Sequence, residues 1–95
     1  MEKSGLIGGS PAEYILSFSS FYKAAYARDI LEQEGISSTL KKLPPQLVRS
    51  CSTGLYLRTD SIQQARQTLE RNRVSVRGIY LIKRDGSGSR TFTKI

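Results

Sequence analysis

The chain has 95 residues, which suffices for one small domain around one hydrophobic core and leaves no room for separate catalytic and binding domains. Its net charge of +7 is uneven, because residues 1–40 carry a net −2 and residues 41–95 a net +9. Histidine is absent, which argues against the usual zinc sites, and Cys51 is the only cysteine, which excludes an internal disulfide. The longest apolar runs fall far short of the roughly 20 residues that span a bilayer, which argues against a membrane-spanning helix.

Residues 1–12 are interpreted as a flexible leader. They contain one lysine followed by Gly, Ser and Pro, and they lack the continuous apolar stretch of a secretory signal. Export is therefore not indicated, and a single cysteine fits the reducing cytosol. We expect a cytoplasmic protein without a membrane segment.

A strand and a helix are predicted next. Residues 13–18 are aromatic and β-branched, which is typical of a strand. Ser19 or Ser20 can cap a helix over residues 21–34, and Gly35 stands where a helix stops. The apolar residues at helical spacing are Ala24, Ala27, Ile30 and Leu31.

Two further strands flank the cysteine. Residues 36–41 predict a second strand, and Pro44 and Pro45 end it because neither proline can donate to a strand ladder. Residues 54–58 alternate in character and predict a third strand. The cysteine therefore lies in a connection that is longer than a hairpin needs, and such loops are disproportionately functional.

The chain closes with a helix, a strand and a tail. Asp60 is the expected N-cap of the second helix, with Gln63 completing a capping box and the helix ending near Asn72. Residues 74–82 predict the fourth strand, with Gly78 as a bulge. The basic Gly/Ser tail, residues 83–95, either folds back as an added hairpin strand or stays mobile, and its composition favours mobility.

The order strand, helix, strand, strand, helix, strand is that of the split βαβ fold. We therefore predict an α+β, ferredoxin-like domain over residues 13–82, in which a four-stranded antiparallel sheet carries both helices on one face. The first and third strands are expected at its centre. The other face is expected to be free for solvent or a partner.

Cys51 is the candidate reactive residue. A thiol acts as a nucleophile or carrier in its thiolate form, so positive charge or backbone N–H groups must stabilise the anion. Arg49 and the loop amides are expected to do so, and the polar neighbours can hydrogen-bond to a carried anion. The predicted stabilising residues are Arg49, Ser50, Ser52, Thr53 and Gly54. The alternative is that Cys51 is a small buried residue with no chemical role.

These segments resemble the small bacterial family named "Putative Se/S carrier protein-like". The resemblance covers residues 13–82, and it rests on YILSF, LEQEGI, LPPQLVRSCSTGLYLR and VRGIY. In that family a proline-led loop ends in a Ser-rich segment, a cysteine and a glycine, which correspond here to Pro44 or Pro45, Ser50, Cys51 and Gly54. The family's cysteine usually abuts the glycine, whereas Ser52 and Thr53 intervene here.

The resemblance implies a ferredoxin-like fold and a cysteine that holds sulfur or selenium as a persulfide or selenosulfide. It implies transfer between donor and acceptor proteins. We expect no cofactor, and no metal because histidine is absent. We expect a carrier or binding module rather than an enzyme, because the acidic residues fall on helix surfaces, a cap or a turn.

A second hypothesis uses the free face of the sheet. Aromatic and basic residues on that face would suit an interaction or RNA-binding module, in which aromatic side chains stack on bases. The residues of this predicted surface are Tyr14, Phe18, Tyr56, Arg58 and Tyr80. A homodimer through the same face, or ordinary burial in the core, is the alternative interpretation of these aromatics.

Overall fold

The computed structural model describes residues 11–49 and 51–95 and shows an α+β fold. Within these residues, five antiparallel strands form one sheet in the order β2-β3-β1-β4-β5, and two helices pack on one of its faces. The elements are β1 (Ala12–Ser17), α1 (Phe21–Gln33), β2 (Thr39–Lys42), β3 (Thr53–Thr59), α2 (Ile62–Arg71), β4 (Gly78–Arg84) and β5 (Arg90–Lys94). Residues 1–10 of the predicted leader lie outside the described residues.

The first helix matches its prediction closely. The Ser20 hydroxyl accepts a hydrogen bond from the backbone N–H of Lys23 at 3.2 Å, which satisfies one of the donors left unpaired at a helix start. Gly35 follows the helix with a φ of +80°, a conformation that favours glycine. The buried side is formed by Ala24, Ala27, Ile30 and Leu31, as the spacing predicts.

The second helix begins later than predicted. Its N-cap is Ser61, and the prediction that Asp60 caps it was wrong. The Thr59 hydroxyl accepts a hydrogen bond from the Ser61 N–H at 3.0 Å, so a local turn at the end of β3 precedes the helix. The helix ends at Asn72 as expected, and the Asn72 side-chain amide donates to the Thr68 carbonyl at 2.8 Å.

The sheet has five strands, so the prediction of four was wrong. The tail forms β5, which pairs with β4 and places Phe92 opposite Ile82. A turn held by Asp85 connects the two strands: its carboxylate accepts hydrogen bonds from the Ser87 N–H at 2.9 Å, the Ser87 hydroxyl at 2.7 Å and the Ser89 N–H at 3.0 Å. These bonds explain why a Gly/Ser-rich segment is ordered here.

The sheet has two different faces. The helix face packs against α1 and α2 through Leu16, Leu55, Leu57 and Ile79. The opposite face, here called the loop face, is partly covered by residues 43–49, which contain a short 3₁₀ turn at Pro45–Leu47. Its cluster consists of the buried Ile15, Leu43, Leu47 and Ile82, with the partly buried Val48, Tyr56, Tyr80 and Phe92. The expectation of a free second face was therefore wrong for the part that the proline-led segment covers.

Candidate functional site

Three small residues lie side by side on the loop face. Ser17 lies opposite Gly54 on β3 and opposite Gly78 on β4, so the three residues face the same side of the sheet. Gly54 admits a close neighbour: a Cβ there would collide with the Leu43 side chain and lie 2.7 Å from the Leu16 carbonyl oxygen. At Gly78 a Cβ would lie 2.9 Å from the Tyr80 hydroxyl oxygen. Leu43 and Tyr80 therefore pack beside this row.

Cys51 lines a cleft of about 210 Å³ at this end of the sheet. The cleft residues are Ser17, Phe18, Leu43, Leu47, Arg49, Cys51, Arg77, Tyr80 and Lys94. Cys51 is partly buried, and its thiol donates a hydrogen bond to the Thr53 carbonyl at 3.5 Å. The thiol is thus positioned by its own loop and opens onto a cleft that several elements share.

Among the described residues, the charged side chains that line the cleft are all basic. Arg49 comes from the proline-led segment, Arg77 immediately precedes β4, and Lys94 lies on β5 opposite Tyr80. The Arg77 N–H donates to the Ser17 carbonyl at 2.8 Å, which fixes the backbone that presents its side chain. The ion pairs found among the described residues are made by Arg28, Arg66, Arg71 and Arg84. The three cations of the cleft therefore have no carboxylate partner among the described residues.

Two hydroxyl groups add hydrogen-bonding capacity to the cleft. Ser17 is only 6% exposed, and its hydroxyl donates to the Gly78 carbonyl over a long 3.4 Å, which leaves its oxygen lone pairs able to accept. Tyr80 is partly buried and presents its hydroxyl beside Gly78. A thiol, three cations and the Tyr80 hydroxyl therefore line one small space, an arrangement suited to an anion.

The family model "Putative Se/S carrier protein-like" matches residues 13–81 of this chain. The chain belongs to this family. The resemblance predicted from the sequence is thus confirmed, over nearly the same residues. Comparison with curated proteins found no match, and comparison with solved structures found none either.

The structure places the predicted site residues of this Se/S carrier-like chain in different environments. Cys51 and Arg49 line the cleft, and Gly54 lies in the row beneath it. Ser52 is exposed, and its carbonyl accepts a hydrogen bond from the Leu43 N–H at 2.7 Å. Thr53 is the first residue of β3 and pairs with Lys42. Ser50 lies outside the described residues.

Sequence reasoning missed two of the three cleft cations. Arg77 and Lys94 lie far along the chain from Cys51, and no local motif joins them to it. Lys94 reaches the cleft because β5 pairs with β4, and for this segment the sequence favoured mobility over an added hairpin strand. The surplus of positive charge in residues 41–95 indicated a basic site, but it does not show which of these basic residues lie close to Cys51.

The predicted aromatic surface is not one surface. Tyr14 and Phe18 belong to the helix-face cluster, whereas Tyr56 and Tyr80 belong to the loop-face cluster. Arg58 lies opposite Glu13 and shares the loop face with Tyr56, since alternate residues of a strand face the same side. The prediction that the five residues form a single binding face was wrong, because the helices cover the side that holds Tyr14 and Phe18.

Tyr56 is engaged within the protein. The Lys41 ammonium lies 4.6 Å from the centre of its ring, and its hydroxyl donates to the Lys42 carbonyl at 2.7 Å. Burial raises the pKa of Tyr56 above its ordinary value, against a smaller opposing influence of Arg90. The ring face under Lys41 is therefore occupied, which argues against its use for base stacking.

Two further properties concern the described residues alone. In residues 11–49 and 51–95, no group of three Cys, Asp or Glu side chains is placed to hold a metal ion. No described helix is long and apolar enough to cross a membrane.

Proposed function

We propose that this protein carries one sulfur or selenium atom on Cys51, as a persulfide or selenosulfide, between donor and acceptor proteins in the cytoplasm. The observation that carries the proposal is the position of the only thiol in a cleft whose charged side chains, within the described part of the chain, are the cations Arg49, Arg77 and Lys94. Membership of the Se/S carrier-like family supports the same function. The protein acts as a carrier, and no general base is required.

We further propose that the first four strands form a ferredoxin-like core. The order β2-β3-β1-β4, with α1 and α2 on one face, is the arrangement expected of a split βαβ domain. The fifth strand extends this core at the β4 edge and brings Lys94 to the cleft.

The transfer step exchanges one bond for another. The Cys51 thiolate attacks the outer sulfur of a donor persulfide, and a new S–S bond forms at Cys51 as the donor's S–S bond breaks. The electron pair of the broken bond leaves with the donor thiolate. A selenosulfide donor delivers selenium by the same exchange, so no oxidant or reductant is consumed. An acceptor thiolate repeats the step in the other direction.

The cleft favours the charged forms of this reaction. Both the attacking thiolate and the product persulfide are anions, and hydrogen bonds from charged donors are roughly twice as strong as neutral ones. Arg49 is the cation nearest to Cys51 in sequence, and Arg77 and Lys94 complete the positive rim. Exposed Ser52 and the amide of Thr53 supply further donors.

Persulfide loading tests the proposal. Incubation with a persulfide donor should add the mass of one sulfur atom to the intact protein, and Cys51→Ser should gain none. Because Cys51→Ser removes the only thiol, a relocated thiol is the sharper control. The double variant Cys51→Ser with Ser37→Cys places a thiol at an exposed site beside both Arg28 and Glu32.

We expect the relocated thiol to load more slowly than Cys51 although it is more exposed, because one carboxylate offsets its neighbouring cation. The second variant, Cys51→Ser with Thr53→Cys, puts the thiol directly before Gly54. It should also load more slowly. Equal loading rates for all three thiols would show that the cleft gives Cys51 no advantage and would refute the proposal.

A further inference from the structure

On the basis of the proposed carrier function, we infer that the cleft also accepts a free inorganic donor: a divalent oxyanion of the thiosulfate type, whose terminal sulfur or selenium passes to Cys51. The cleft has the charge, the size and the hydrogen-bond donors for such a ligand. A donor protein alone does not require these three properties.

The charge of the cleft exceeds what a persulfide needs. Arg49, Arg77 and Lys94 contribute three positive charges, and no carboxylate is among the described residues that line the cleft. A persulfide on Cys51 carries a single negative charge. A thiolate together with a thiosulfate dianion carries three, which matches the cations in number. Positive charges that lie together without a negative partner repel one another, so an anion whose charge balances them is the expected ligand.

The size of the cleft also indicates a small ligand. Its volume of about 210 Å³ lies below the range of about 300–1,000 Å³ that is usual for pockets holding drug-sized molecules. A tetrahedral oxyanion fits a space of this size. Guanidinium groups bind such oxygens in a fork of two N–H donors, and a lysine ammonium supplies a point charge. The Tyr80 side chain lies on the same cleft, and its hydroxyl can donate to a remaining oxygen atom, whereas the Ser17 hydroxyl already donates to the Gly78 carbonyl.

The reaction balances without another reactant. The Cys51 thiolate attacks the terminal sulfur of thiosulfate, and the Cys51 Sγ–S bond forms as the S–S bond of thiosulfate breaks. The electron pair of that bond leaves with sulfite. Three negative charges enter, and three leave as one persulfide and one sulfite dianion. Selenosulfate gives the selenosulfide in the same way. Arg77 and Lys94 would bind the oxyanion both as it enters and as it leaves as sulfite.

The test uses thiosulfate as donor and cyanide as acceptor, because cyanide removes the outer sulfur of the persulfide as thiocyanate and restores the thiolate. Thiocyanate and sulfite should appear in equal amounts with the wild type. Arg77→Gln and Lys94→Gln should each lower kcat/KM for thiosulfate about ten-fold, the loss expected for one charged hydrogen bond. Both side chains are exposed, so the variants should fold.

Lys83→Gln is the matched control, since it removes one positive charge from an exposed position on β4 outside the cleft. It should change the rate by less than about two-fold, because charges distant from the site are screened by salt. Sulfate, an unreactive dianion, should slow the reaction competitively at constant ionic strength. Loading from an alkyl persulfide, which has no oxyanion group and at most one negative charge, should depend far less on Arg77 and Lys94.

The outcomes separate the inference from the carrier function. Loading from the alkyl persulfide without loading from thiosulfate would overturn the inference and leave the carrier function standing. Loading from neither would overturn both. Thiosulfate turnover that is insensitive to sulfate, or equal in Arg77→Gln, Lys94→Gln and Lys83→Gln, would show that the cleft does not bind the oxyanion and would also overturn the inference.

Discussion

Gly54→Ala should destabilise the protein, because residues 43–49 pack directly over this glycine. The added methyl group meets two obstacles of different kinds: the Leu43 side chain and, at 2.7 Å, the carbonyl oxygen of Leu16. The carbonyl belongs to β1, which is paired on both sides by β3 and β4 and cannot move away alone. Leu43 must therefore leave its buried position, and strain against β1 remains.

The expected magnitude follows from these two contributions. Overpacking of a well-filled site typically costs about 1–3 kcal/mol, and the exposure of a buried leucine side chain costs a similar amount when it is complete. With partial displacement of Leu43, we expect a loss of about 2–3 kcal/mol in the free energy of unfolding. At roughly 4–8 °C per kcal/mol for a domain of this size, the Tm should fall by about 10–20 °C. Urea and thermal unfolding followed by circular dichroism measure both quantities.

Two other glycines provide the controls. Gly86→Ala meets no atom within 4 Å, so its free energy of unfolding should stay within about 0.5 kcal/mol of the wild type. Gly78→Ala meets only the Tyr80 ring, a side chain that can swing away, and should cost less than Gly54→Ala. If Gly54→Ala proves as stable as Gly86→Ala, then Leu43 does not pack against β3 as described, and the account of how the cleft is built is wrong.

Two further predictions concern titrating groups. Tyr56→Phe should lower stability by about 1 kcal/mol near neutral pH, because the hydrogen bond to the Lys42 carbonyl is lost. Burial raises the pKa of Tyr56 above 10.0, so the hydrogen bond's contribution to stability is complete below pH 10.0 and is lost as pH rises through the pKa of the folded state. The difference in the free energy of urea unfolding between the wild type and Tyr56→Phe should narrow in that range. A constant difference would contradict this prediction. Hydrogen bonds from Ser87 hold the pKa of Asp85 below 3.8. The ionised carboxylate therefore stabilises its turn fully above pH 3.8, and this stabilisation is lost as pH falls through the lower pKa of the folded state. Asp85→Ala should speed amide exchange in β5 while β1 and β3 stay protected, and unchanged β5 exchange would show that the carboxylate does not hold the turn.

The elements that the sequence predicted well are those set by local signals. The first helix has an apolar stripe of period 3.6, a serine cap and a terminal glycine, and all three are present in the structure. The fifth strand was predicted only as the less favoured alternative to a mobile tail, because its order depends on the carboxylate of Asp85 and on pairing with β4. Neither can be deduced from the Gly/Ser composition, which is equally typical of a flexible linker.

The cleft could be predicted only in part, because it depends on strand register. Cys51 and Arg49 were identified because they are close in sequence. The position of Ser17 between Gly54 and Gly78 depends on the strand register, and alternation along single strands does not determine which residues of neighbouring strands are paired. The aromatic surface was mispredicted for the same reason, since the side of the sheet covered by the helices was not known.

The two residues between Cys51 and Gly54 determine where the thiol lies relative to the cleft. In the family pattern the cysteine usually abuts the glycine, a position that Thr53 occupies here. Gly54 faces the loop side of the sheet, opposite Ser17, so strand alternation directs Thr53 to the helix face, away from the cleft. The chain bends at Ser52 before β3 begins, and Cys51 reaches the cleft from outside the strand. The two intervening residues therefore place the thiol beside Arg49, Arg77 and Lys94, where a cysteine at position 53 would not lie.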